Sequence, residues 1–218
     1  MIKHFLTISL IFLGFSVQSQ NSKKILDYLN KHSLNFNFNS PVFYTSSNLE
    51  GIQNLDLTGD TLLYIRESIL NQIPTPKYLV NDYSGFLKKS QVDSLESLLE
   101  YIGNKYDIQI AVITLFPFMY DNIDSFSLKI FNKWGIGKKE TNYGILFTYD
   151  FFNRKVRISN GYGIEKIYTD IETNAIIDKI IFPKFKQKKY FEGIYNSVNQ
   201  ITMEVSSKIN FFKKIQNN

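Results

Sequence analysis

The sequence predicts an α/β domain built on a small mixed sheet with helices on both faces. Three observations carry this. Residues 108–115 form a continuous apolar, β-branched run, greasy on both sides, as a central strand covered by two layers must be. Residues 144–149 and 154–159 flank a four-residue turn and read as a β-hairpin. Amphipathic helical patterns precede, separate and follow these strands, which is the alternation of an α/β fold.

The elements follow in order. Ser90 and Asp93 are spaced as a capping box, and Val92, Leu95, Leu98, Leu99 and Ile102 continue at helical spacing. Asp121 or Asn122 caps a second helix carrying Ile123, Phe126, Ile130 and Trp134, which Gly135 stops. In the second hairpin strand Val156 and Ile158 point inward, and Lys155 and Arg157 outward. Gly161-Tyr162-Gly163 reads as a tight turn. Thr169 and Glu172 form a second capping box, opening a helix that Pro183 is expected to end. A last helix carries Ile194, Val198, Ile201 and Val205, and residues 206–218 read as a basic tail with Lys208, Lys213 and Lys214.

Composition narrows the chemistry. Across 218 residues, 44% are hydrophobic and 21% charged, enough apolar material for a core of moderate size. The chain has no Cys, which excludes thiolate catalysis, disulfides and cysteine-held zinc. Two histidines, His4 and His32, leave no stock for a His-rich metal site or a Ser-His-Asp triad. The net charge of +5 suits attraction to anionic lipid, cell-wall polymer or phosphate, and equally a solubilising surface. A dense basic stripe is missing, so nucleic acid is not an expected partner.

Residues 1–20 have the layout of a secretory signal peptide. Lys3 and His4 precede an apolar run over residues 5–17, and small or tolerated residues surround cleavage points after Ser19 or Gln20. The run is shorter than the ~20 residues a bilayer span needs. The mature chain is expected in a periplasm or outside the cell, as a monomer without a membrane-spanning helix. ATP is scarce there, so ATP-driven chemistry is not expected. Residues 21–77 form an expected N-terminal extension, partly ordered, with helical stripes at residues 21–32 and 61–73 and a breaker at Pro74-Thr75-Pro76.

Several strings in residues 78–205 resemble, in order and spacing, the TPM domain family. They are Val80-Asn81-Asp82-Tyr83-Ser84-Gly85-Phe86-Leu87, Trp134-Gly135-Ile136-Gly137-Lys138-Lys139, Gly144-Ile145-Leu146, Arg154-Lys155-Val156-Arg157-Ile158, Gly161-Tyr162-Gly163-Ile164-Glu165, Thr169-Asp170 and Ile181-Phe182-Pro183-Lys184-Phe185. The resemblance implies a three-layer α/β/α sandwich around the small mixed sheet, in an extracytoplasmic domain. Family members are linked to low acid-phosphatase activity, and others to assembly, repair or modulation of membrane complexes. Two departures stand out: Asn142 where the family usually has Asp before Asn-Gly, and Asn153 where it often has Asp. An Asn lacks the charge, though its carbonyl still suits Ca²⁺.

The acids retained at family positions are Asp82, Glu165 and Asp170. They are expected to meet at one end of the sheet, where open α/β sheets bind ligands. A metal-assisted phosphomonoesterase would use Asp82 and Asp170 catalytically. It would hold Ca²⁺ or Mg²⁺ with Asp82, Glu165, Asp170 and Asn142, and set Arg157 and Lys138 beside the phosphate. Structural roles compete: Asp170 as a helix-start acid, Asp82 as a turn former, Glu165 and Arg157 as solvated surface charges. The alternative function is a non-catalytic module that binds a membrane or envelope protein.

Overall fold

The computed structural model describes residues 76, 78–115, 120, 122–151 and 153–216. The expected signal peptide and most of the extension lie outside these residues. The chain runs β1 (Val80–Asp82), α1 (Lys89–Tyr106), β2 (Gln109–Thr114), α2 (Ile123–Trp134), β3 (Gly144–Asp150), β4 (Lys155–Asn160), α3 (Tyr162–Glu165), α4 (Asp170–Ile176), a π-helical turn (Ile177–Ile181), α5 (Phe182–Lys186) and α6 (Tyr190–Gln216). The four strands lie in the order β1-β2-β3-β4, with β1, β2 and β3 parallel and β4 antiparallel to β3.

This is the expected three-layer α/β/α sandwich. On one face Val80, Ile110, Val112, Ile145, Phe147 and Tyr149 pack under Leu95, Leu99 and Ile102 of α1 and Ile194, Val198, Ile201 and Val205 of α6. On the other, Ala111, Ile113 and Leu146 meet Ile123, Phe126, Ile130 and Trp134 of α2. All seven residues of β3 are buried, as a strand covered on both faces requires.

Strand β1 escapes the sequence reading because three residues show no periodicity. Its edge is covered by Glu96 of α1, whose carboxylate accepts from Leu79 N at 3.1 Å and Val80 N at 2.7 Å. Those N–H groups are thereby withdrawn from edge-to-edge pairing. The first capping box is displaced: α1 begins at Lys89, and Gln91 Oε1 accepts from Lys88 N at 2.9 Å. The others hold, with Asn122 accepting from Asp124 N and Ser125 N, and Thr169 and Glu172 exchanging bonds. Gly135 stops α2 at φ 61°.

Three expectations change. Pro183 does not end a helix. The π turn before it widens the backbone so that its ring and missing N–H fit the first turn of α5. Gly161-Tyr162-Gly163 is not a free-standing turn but opens α3. The basic tail is helical: α6 runs unbroken to Gln216, and Ile209 is still buried.

Candidate functional site

The parallel strands end at Asp82, Thr114 and Asp150, and this is the edge where the retained acids are expected to gather. Asp82 is fully buried. Its Oδ1 accepts from Thr114 Oγ1 at 2.5 Å, Ser84 Oγ at 3.2 Å and Phe86 N at 3.3 Å, and its Oδ2 from Leu87 N at 2.8 Å. The carboxylate therefore clamps the β1–α1 connection from inside. Burial pushes its pKa above the ordinary 3.8, and the four hydrogen bonds oppose that shift.

A second buried carboxylate, Asp150, closes β3. Its Oδ2 accepts from Tyr120 OH and from Asn153 Nδ2 at 2.8 Å, and its Oδ1 from Asn153 N at 3.0 Å. Asn153, noted from sequence as a lost acid, thus acts as a donor to a neighbouring carboxylate. An Asp in its place would set two negative groups together in the hairpin turn.

The other expected site residues lie elsewhere. Strand β3 is seven residues long, so its two ends stand ~20 Å apart. Asn142, Glu165, Asp170 and Lys138 belong to the far end, where β3 starts and β4 stops. There Asn142, at φ 52°, accepts from Gly163 N at 3.2 Å through its backbone carbonyl. Glu165 is exposed in α3 and Asp170 is exposed as the first residue of α4. Lys138 is ion-paired with Asp107. Arg157 sits mid-strand on β4, 3.6 Å from Asp124 across an exposed surface pair. The expected gathering of Asp82, Glu165 and Asp170 is thus corrected: Asp82 stands alone at one edge, Glu165 and Asp170 at the other. Sequence spacing could not reveal this, because β4 reverses the chain and returns the following helices to the opposite end. Among the described residues, no three His, Cys, Asp or Glu side chains are grouped to hold a metal ion. The proposed Ca²⁺ or Mg²⁺ set with Asn142 therefore does not assemble around Asp82.

The far end is built from close backbone contacts. A Cβ on Gly163 would lie 2.0 Å from Thr141 O, and one on Gly144 2.2 Å from Ile136 O. The loop over residues 136–144 can approach β3 and α3 only because these positions lack side chains.

Residues 80–204 match a model of the TPM domain family, more than half of the chain. The chain belongs to the TPM domain family. Its TPM domain is similar to the solved N-terminal domain of a protein from P. gingivalis, at 27% identity and TM-score 0.56, covering 66% of this chain and 92% of that one. It shares its fold with the BA42 protein of Bizionia argentinensis, at 15% identity and TM-score 0.51, covering 56% of this chain and 83% of that one. No curated protein matches the chain.

Several residues of the TPM domain's strand-end edge were not anticipated. Thr114 looked like an ordinary strand residue and Asp150 like an ordinary turn residue. Phe86, Phe151, Phe185 and Tyr190 form a knot with ring centroids 4.7–5.5 Å apart, tying the β1–α1 loop, the hairpin turn and the α5–α6 link together. Away from that edge, between α2 and the middle of the hairpin, Ser127 Oγ lies 2.8 Å from both Thr148 Oγ1 and Ser159 Oγ, all three buried. Asp82 and the Asn153 departure from the family pattern were the sequence signals that lay at the strand-end edge.

Proposed function

We propose that this TPM domain is a non-catalytic module of the cell envelope, which binds and assists a membrane or envelope protein. One observation carries the reading: the buried carboxylates at the sheet's strand-end edge are occupied by internal donors. A hydrolytic carboxylate must reach substrate, water or metal, and Asp82 instead serves Thr114, Ser84, Phe86 and Leu87. The separation of Asp82 from Glu165 and Asp170 supports the same reading. Placement in the envelope rests on the signal-peptide pattern of residues 1–20.

A second reading, a low-activity metal-assisted phosphatase acting on phosphomonoesters, is favoured by charge at the same edge. Exposed Lys88, Arg154 and Lys155 stand beside the strand ends that carry Asp82 and Asp150, and would attract a phosphate dianion. The two readings separate in one pair of measurements. Incubated with an aryl phosphate and Ca²⁺ or Mg²⁺, the purified chain should release no more phosphate than a protein-free control. In-cell crosslinking should capture one specific envelope protein. EDTA-sensitive turnover without a captured partner would overturn the binding reading in favour of the phosphatase.

A further inference from the structure

We propose that the C-terminal end of α6 docks on an anionic lipid surface. The inference goes beyond the protein-binding reading and stands independently of it.

Helix α6 is longer than the sheet it packs on. Its 27 residues span ~40 Å, whereas β3 spans ~20 Å. Ile209, 3% exposed, is the last core residue on it. Beyond that point Phe211, Phe212 and Ile215 are 62%, 43% and 56% exposed, and the two Phe rings touch at 5.9 Å. Large apolar side chains held together in the open mark an interaction surface.

Lys208 Nζ donates to Glu172 Oε1 at 2.6 Å and to Ile167 O at 2.9 Å, which anchors α6 on the domain one turn before the Phe pair.

Charge selects the occupant. Lys213 and Lys214 are exposed between Phe212 and Ile215, and residues 205–218 contain no Asp or Glu. Aromatic and aliphatic groups interleaved with lysines suit an anionic headgroup layer, which takes the rings at its acyl boundary and the ammonium groups at its phosphates. A second copy of the chain would bring like charges together at the same tip.

The test is co-sedimentation of the full chain with vesicles. Vesicles of phosphatidylglycerol and phosphatidylcholine should retain it, and phosphatidylcholine alone should not. Binding should fall about tenfold as salt rises to about 0.5 M, where the Debye length drops below the charge spacing. Phe211→Ser with Phe212→Ser should weaken it about tenfold, as should Lys213→Glu with Lys214→Glu. Leu128→Ser, at an exposed site on α2, should leave binding unchanged. Two results overturn the proposal: no retention of the parent chain on anionic vesicles, or retention that neither tip variant alters. Self-association lost in the Phe variant, without vesicle binding, would likewise assign the tip to a second copy.

Discussion

The two ends of the sheet are held by different physics. At the strand ends, side chains do the holding: Asp82 and Asp150 gather hydroxyl, amide and backbone donors, and four aromatic rings knot the loops above them. At the strand starts, backbone packs directly on backbone, with Gly144 and Gly163 beneath carbonyls of the 136–144 loop. The first arrangement depends on the ionisation and hydrogen-bonding capacity of a few atoms. The second depends on volume alone and should be indifferent to pH. An edge whose carboxylates are spent on structure offers a stable platform more readily than a reactive pocket.

Substitutions can break this comparison. The largest effect is expected from Asp82→Ala, which strands the Phe86 and Leu87 amides and the Thr114 hydroxyl in a buried site. The loss should be about 4 kcal/mol in urea unfolding, and a loss under about 1 kcal/mol would show that the clamp is dispensable. Gly163→Ala follows. A Cβ 2.0 Å from Thr141 O must push backbone rather than a flexible side chain, and about 3 kcal/mol should be lost, equally at acidic and neutral pH.

The smallest effect is a slope, and it sharpens the contrast. Burial raises the Asp82 pKa in the folded chain, so the folded state binds this proton more tightly than the unfolded one. Its contribution to stability is complete below the unfolded value and is lost as pH rises through the folded value. Asp82→Asn cannot titrate and should lack this component. The urea midpoint of the parent should fall relative to that of the variant as pH rises across that range. Parallel curves would mean that the site does not titrate on unfolding.

Much of the architecture was readable from local pattern. The apolar run of β2, the hairpin, the Thr169–Glu172 cap and the Gly135 stop each depend on residues within a few positions of one another. What was misplaced involved distance along the chain. Pro183 looked like a terminator because nothing nearby announces a π turn, and residues 206–218 read only as a basic tail because burial of Ile209 is decided by the rest of the domain. Asp82 was named from sequence as a candidate catalytic and metal-binding acid, but its partner Thr114 lies 32 residues away, and no spacing rule connects the two.

By itself the sequence determined the two long central helices, β2 and the hairpin, the family strings over residues 78–205 and the absence of thiol chemistry, because these are properties of composition and short-range periodicity. Only the tertiary structure decided which acids meet. Strand direction sets the end of the sheet at which each loop emerges, and the antiparallel return of β4 carries Glu165 and Asp170 away from Asp82. Burial then decided what Asp82 does, since a carboxylate withdrawn from water must satisfy its oxygens with whatever donors the fold brings to it.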